Sequence, residues 1–249
     1  MEQKVQLYGL SSKKSKQAGL SSILVMFSIV GLTACRPEYN ENYRTVSTEF
    51  FKVALHDKDS YAIVYELTDL GKEEEVLDIP SHVEGLPVKQ IGMQLLWGRL
   101  GISSDYLKKL YIPYTIENTI QNYSIIANLD EVVLIPQHLE YDSAKTVIIS
   151  QDCYDTLQNT VGAWETQKPA NITYYFNYED APNSNIFWID LIRGEDLYIH
   201  PEAPIRDGYT FIGWFTDEEI TMRWDRNCPS NAEEIIDLFA GWNKNELIP

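Results

Sequence analysis

Side chains able to do chemistry are plentiful in this chain, but their spacing is not that of a catalytic site. The carboxylate runs Glu73-Glu74-Glu75, Asp217-Glu218-Glu219 and Glu233-Glu234 are each contiguous, so their members diverge along the backbone. Acid–base work needs two carboxyl groups that converge in different environments, so these runs read as solvated faces. The four histidines, His56, His82, His138 and His200, include no His-x-x-x-His spacing, and Cys35, Cys153 and Cys228 include no Cys-x-x-Cys pair. No zinc-ligand pattern is therefore present. His82 and His138 each stand two residues after a proline, Pro80 and Pro136, which suggests a metal pair, but a repeated position equally places both in exposed turns. Asp217-Glu218-Glu219 lacks the alternating oxygen spacing of a calcium loop. There is no Gly-x-Ser-x-Gly elbow, no His-Glu-x-x-His helix and no phosphate-cradling Gly-x-x-x-x-Gly-Lys loop. These absences lead us to expect neither an enzyme nor a bound cofactor.

The charge balance narrows the partners. In 249 residues, 20 Lys and Arg face 37 Asp and Glu, a net charge of −17. Such a surface repels phosphate backbones and anionic lipid head groups, which excludes nucleic-acid binding as a bulk function. With 44% hydrophobic and 23% charged residues the chain is of ordinary globular composition, enough for one or two domains.

The first 35 residues carry an address. Lys13, Lys14 and Lys16 precede an apolar stretch at 20–32 that ends in small residues, the order of a secretory signal. As a helix that stretch rises only about 20 Å, against a hydrocarbon core of about 30 Å, so a spanning helix is the weaker reading, with an uncleaved anchor still open. The segment closes on Leu32-Thr33-Ala34-Cys35, which resembles the lipobox of bacterial lipoproteins. The resemblance implies cleavage before Cys35, a diacylglyceryl thioether on its sulfur, and a protein held on the extracytoplasmic face of the cell membrane. An ordinary cleavage site with an incidental cysteine is the alternative. Removing 1–34 takes away Glu2 and four lysines, so the remainder is more acidic still. Only Cys153 and Cys228 then remain, too few for a disulfide scaffold; one bridge between them or two free thiols are both open.

Any site would be positioned by the elements of the remaining chain. Residues 35–47 begin with a polar, Pro37-containing run and read as a tether. Residues 48–55 and 61–67 are rich in Phe, Val, Tyr and Ile around the turn-like His56-Asp57-Lys58-Asp59-Ser60, which predicts an antiparallel hairpin capping a repeat array. The repeat is visible on its prolines. Leu77-x-Ile79-Pro80-x-x-Val83 aligns with Leu110-x-Ile112-Pro113-x-x-Ile116 and Val133-x-Ile135-Pro136-x-x-Leu139, at proline spacings of 33 and 23. A short strand turning alternate apolar residues inward, stopped by a proline that cannot donate to the ladder, is the unit of a solenoid.

These windows, with Leu86-Pro87-Val88 and Ile91-Gly92-Met93-Gln94-Leu95-Leu96, resemble the BspA-type leucine-rich repeat of bacterial surface proteins over roughly residues 60–165. The usual Ala-Phe is replaced by Leu95-Leu96, and extra residues at 97–105 imply a protruding loop. Thr146-Val147-Ile148-Ile149-Ser150 and the segment 154–164 resemble a terminal repeat in which Ser150 replaces the proline.

From residue 171 to 242 the composition turns aromatic, with hairpin grammar in 172–178 and 186–190 around Ala181-Pro182-Asn183-Ser184-Asn185. Gly208-Tyr209-Thr210-Phe211-Ile212-Gly213-Trp214, with Trp224-Asp225 and Leu238-Phe239-Ala240-Gly241-Trp242, resembles the internalin B repeat, a small β-grasp-like module. Tyr209 and Phe211 alternate along a strand, Gly208 and Gly213 allow close backbone approach, and Trp214 and Trp242 supply buried area. A core is the expected use of these rings; a ligand cage is the sharper alternative.

The expected architecture is mainly β: signal 1–34, tether 35–47, a leucine-rich-repeat solenoid with its hairpin cap at 48–166, and an internalin B-type module at 170–244 with a core of its own. The expected function is noncatalytic protein or glycan interaction at the cell surface, with a basic or uncharged partner. A surface hydrolase or its carbohydrate-binding accessory, and a structural spacer, are the alternatives. Partner contacts are expected at exposed repeat positions, Trp97, Tyr114 and His138, with no cleft of converging carboxylates.

Overall fold

The computed structural model describes residues 43–95, 98–117, 124–136, 139, 144–158, 166–193, 201–225 and 234–245. The architecture is mainly β. Strands β1 (Tyr43–Ser47), β2 (Phe51–His56) and β3 (Tyr61–Leu67) pair antiparallel in succession. The β2–β3 hairpin is the one composition predicts, whereas β1 forms from the last residues of the stretch read as tether. Strand β4 (Val76–Asp78) is followed by β5 (His82–Val83) and β6 (Leu86–Ile91), an antiparallel pair closed by Glu84 and Gly85 at φ 50° and 79°. Strand β6 also runs parallel to β3, which ties the hairpin to the repeats.

A short hairpin, β7 (Met93–Leu95) and β8 (Gly98–Leu100), follows, with Met93 and Leu100 packed against Ala54, Ile63 and Tyr65. Strand β9 (Ile102–Ser103) precedes β10 (Lys109–Ile112), and β11 (Ile125–Ile126) precedes β12 (Glu131–Leu134). Both β9 with β11 and β10 with β12 pair in parallel. Strand β13 (Thr146–Ile149), helix α1 (Gln151–Gln158) and β14 (Gln167–Pro169) complete a five-stranded parallel sheet of order β14-β13-β12-β10-β4. Ser150, buried, caps α1 by accepting the Cys153 N–H at 3.3 Å, the role that lets serine stand where earlier windows have proline. Cys153, Tyr154 and Leu157 of α1 pack on the repeat core.

Register decides which face each repeat side chain takes, and here the structure corrects the proline alignment. Leu110 pairs with Leu77 as aligned, but its partner on β12 is Val132, not Val133. Val132 and Leu134 therefore join Leu77, Ile79, Leu110, Ile112, Val147 and Ile149 in the inner core, shared with Phe51, Val53 and Leu55 of the hairpin. Val133 and Ile135 point to the opposite face, because a slip of one residue in a strand reverses every side chain.

That opposite face carries two rows across the sheet. One is Val76, Lys109, Glu131 and Thr146; the other is Asp78, Tyr111, Val133 and Ile148. The C-terminal strands β15 (Ile172–Tyr175), β16 (Ile186–Asp190), β17 (Tyr209–Phe215) and β18 (Ile236–Lys244) form a mixed sheet of order β16-β15-β18-β17. Its Ile172, Tyr174, Phe176, Trp188 and Leu238 make one buried cluster with Tyr111, Val133, Ile135 and Ile148. The expectation that the aromatic module has a separate core is therefore corrected: the outward repeat positions are apolar, and burying them against the module removes that area from water.

The two glycines of the aromatic motif do different work. Gly213, φ 135°, sits at a bulge in the β17–β18 register, and the Arg223 guanidinium lies 3.1 Å from where its Cβ would stand. Gly208, φ 76°, has open space around it, so its turn geometry rather than close approach requires glycine.

Candidate functional site

The seam between the repeat sheet and the C-terminal sheet brings together charged residues far apart in sequence. Asp190, at the end of β16 and 1% exposed, accepts the Lys109 ammonium and the Tyr111 hydroxyl, each at 2.7 Å, and the Leu191 N–H at 2.8 Å. Lys109 also lies 3.4 Å from Glu131, which pairs with Arg193 at 2.9 Å. Asp190 thus has a cation and two further donors, the condition under which a buried carboxylate is tolerated. Burial first, and then the adjacent Asp190 charge, hold the Tyr111 phenol well above its ordinary range, so it stays a donor.

One residue along the same row the environment changes. Asp78 Oδ2 accepts the Trp188 indole N–H, at 3.3 Å, and no other donor among the described residues. Trp188, 3% exposed, stacks on Tyr111 with ring centroids 5.0 Å apart. Asp78 lines two hollows, one of about 90 Å³ toward Ser81, Tyr114 and Trp188, and one of about 640 Å³ toward Phe50, His82 and Glu84. Pro80 and Glu202 line both as well, so the hollows share a wall, and the larger of the two is a groove that Asp78 and Glu202 border. Burial, with smaller contributions from the negative charges of Glu202 and Asp190, lifts the Asp78 carboxyl to about 7 against the opposing Trp188 hydrogen bond.

This shift has a testable sign. The folded carboxyl takes up its proton at higher pH than an ordinary aspartate, so its stabilising effect is complete below about pH 4 and is lost as pH rises through about 7. Asp78→Asn keeps an acceptor for Trp188 and cannot ionise. Its stability relative to the parent chain is expected to climb across that window and level off above it, by on the order of 4 kcal/mol. Urea denaturation at a series of pH values checks this; a difference that stays constant with pH would refute it.

The residues singled out from sequence fall differently from expectation. Cys35, Trp97 and His138 lie outside the described residues, as do His200 and Cys228. Tyr114, expected to be an exposed contact, is half-buried. It packs edge-on against Phe176 at 4.9 Å and tilted against Phe187 at 5.9 Å, and burial pushes its phenol up to about 12. His82, expected in an exposed turn, is also half-buried, 3.1 Å from the Ser81 hydroxyl, and its burial lowers its pKa. Tyr114 is covered by the C-terminal module through Phe176 and Phe187, whereas His82 lies beside Tyr114 with ring centroids 6.4 Å apart and pairs through β5 with β6. Among the described residues no group of three or more His, Cys, Asp or Glu could hold a metal ion.

Asp78 and Glu202 line the same hollows, and the charge of Glu202 acts on Asp78. Sequence reasoning missed both residues because it sought carboxylates in runs. The available signal was a lone charge inside an apolar strand window, Asp78 between Leu77 and Ile79.

The possible aromatic cage is occupied by the chain itself. The Arg206 guanidinium lies 3.7 Å from the Tyr209 ring centre, 4.3 Å from that of Tyr178 and 5.8 Å from that of Trp242. Trp242 donates its indole N–H to the Phe176 carbonyl at 2.6 Å, and Trp214 packs on Tyr174 with centroids 4.7 Å apart. These rings serve as packing.

Residues 171–241 match the Listeria-Bacteroides repeat domain. Over 73 residues, 29% of this chain, the sequence is 30% identical to a protein of Evansella cellulosilytica named "Putative membrane protein", of which 11% is covered. It is 30% identical over 73 residues, again 29% of this chain, to a "Putative Gly-rich membrane protein" of the same organism, of which 8% is covered. The chain thus spans about a tenth of the length of these relatives. No solved structure matches the chain. Among the described residues, no helix is long and apolar enough to cross a membrane.

Proposed function

We propose that this chain is a noncatalytic protein of the bacterial cell surface, lipid-anchored at Cys35, that mediates interaction with an extracellular protein or glycan. The observation that carries the reading is the repeat-domain match at 171–241, beside 73-residue matches to two proteins whose printed names call them putative membrane proteins. In the same reading the parallel ladders from β4 to β14 are a short leucine-rich-repeat solenoid, and the four C-terminal strands are an internalin B-type, β-grasp-like module. The outward repeat face is covered by the module, and the groove bordered by Asp78 and Glu202 is a concave surface that suits a partner. The partner is basic or uncharged, and the electrostatic part of its binding weakens with salt.

A second reading, a surface hydrolase, is favoured by one observation: Asp78 and Glu202 share a cleft and sit in different environments, one desolvated and one exposed. The hollow beside Trp188 has room for a few waters or one side-chain head group, which argues against a sugar ring reaching that carboxylate.

One experiment tests anchoring and activity together. Cells producing the parent chain or its Cys35→Ala variant are labelled with a radioactive fatty acid and fractionated, and surface components retained by the purified protein are assayed for binding and for glycan or peptide hydrolysis. One acyl chain holds a protein only marginally, so loss of the diacylglyceryl group should release the variant or leave an unprocessed precursor. The parent is expected to be labelled and membrane-bound, to retain a partner and to hydrolyse nothing. Label on the Cys35→Ala protein would remove the anchor from the reading, and hydrolysis abolished by Asp78→Asn would replace interaction with catalysis.

A further inference from the structure

The groove is unusual in what its carboxylates lack. Glu84 is neutralised by Arg44 at 2.7 Å, but no cation pairs with Glu49, Asp78 or Glu202 among the described residues. No lysine or arginine lines either hollow among those residues. Asp190, close enough for its charge to act on Asp78, shows what this fold does with a buried carboxylate it satisfies internally: it supplies Lys109 and Tyr111. Among the described residues Asp78 receives one long indole hydrogen bond, and it lines the hollows. Val46, Phe50, Val76 and Val83 form the apolar side of the larger hollow.

We propose that this groove binds a lysine or arginine side chain of a polypeptide partner, with the cationic head group at Asp78 and Glu202 and the flanking chain along Val46, Phe50 and Val83. The proposal rests on the interaction reading and names the partner class of that site. Three features favour this occupant. The lining presents unpaired acceptors and negative charge, so the ligand must bring donors and positive charge. A ring face on which a sugar would stack is engaged, that of Trp188 by Tyr111, and Tyr114 is packed against Phe176 and Phe187. The larger hollow extends well beyond the two carboxylates along an apolar wall, which suits a peptide backbone with side chains more than a small amine. The neutralisation of Asp78 in the empty groove, caused by burial and its acidic neighbours, would reverse when a cation arrives.

The test uses the full chain in a nonionic detergent, with fluorescein-labelled octalysine as probe and anisotropy as readout at pH 7.5 and near-physiological salt. Asp78→Asn with Glu202→Gln is compared with Glu218→Gln with Glu219→Gln, which removes the same formal charge outside the groove. Glu202→Gln alone, at an exposed position, serves as the variant least able to disturb folding, and melts of all variants are recorded. We expect the groove variant to bind at least tenfold more weakly, Glu202→Gln alone to lose part of that, and the control to stay within twofold. Equal losses in groove and control variants would show diffuse attraction and overturn the site. Displacement of octalysine by equimolar spermine would overturn the polypeptide assignment. If surface components are retained equally by the parent and groove variant, the interaction reading stands and the groove proposal falls. If hydrolysis is found instead, the noncatalytic reading falls while the octalysine comparison still decides the groove.

Discussion

Trp188→Ala is expected to lower the stability of the chain by about 3–5 kcal/mol, and to do so in one transition that includes the repeat strands. Trp188 is the ring through which β16 meets the repeat sheet. It stacks on Tyr111, meets Tyr174 edge-on with centroids 5.5 Å apart, and belongs to the cluster containing Val133 and Ile148. Truncation would remove a large buried area, open a cavity between two sheets that cannot close without shifting, and cost Asp78 its hydrogen bond. Guanidinium denaturation followed by fluorescence and by far-ultraviolet circular dichroism should give coincident curves for the variant, displaced to lower denaturant. Hydrogen exchange should quicken in β10 and β12 as well as in β15 and β16. Loss of protection confined to the C-terminal strands, with an unchanged second transition from the repeats, would restore the picture of two independent cores.

Asp190→Ala should have an effect of similar size for an electrostatic reason. It would leave the Lys109 ammonium, 17% exposed, with only the more distant Glu131, and would strip the Tyr111 hydroxyl of its acceptor. Removing one partner of a buried ion pair typically costs about 3–5 kcal/mol because the other charge is stranded. Replacing both members should not: Asp190→Leu with Lys109→Met is expected to recover most of the loss, since the apolar pair avoids the desolvation penalty altogether. Added salt should change the parent's stability little through this pair, because it is shielded from solvent ions. Denaturation of the two single variants and the double variant gives the coupling directly. Additive losses would mean that Asp190 acts through packing alone, and the seam would then be held by its rings.

Much of the fold was legible because local chemistry enforces it. Strand composition on either side of His56-Asp57-Lys58-Asp59-Ser60 and of Ala181-Pro182-Asn183-Ser184-Asn185 leaves few alternatives to hairpins, and β2–β3 and β15–β16 are paired accordingly. Prolines that end strands mark the repeated segments, and Leu77 and Leu110 do pair in the parallel sheet. The candidate site was not legible. Its members, Asp78, Trp188 and Glu202, are scattered over more than a hundred residues, and each is an ordinary residue in its own window.

What the sequence by itself determined was the set of strands, their turns and the aromatic character of the C-terminal module, since propensity, turn residues and proline act over a few residues. What only the tertiary structure decided was register and facing. In Val132-Val133-Leu134-Ile135 and Val147-Ile148-Ile149 every residue is apolar, so no alternation says which side is inward. Such runs belong to strands buried on both faces, and here the second face is buried by the module rather than left to a partner. The same covering took Tyr114 out of solvent, and it set Asp78 beside Trp188 and Glu202. Burial of one continuous apolar face outweighs the exposure that a repeat turn has when considered alone.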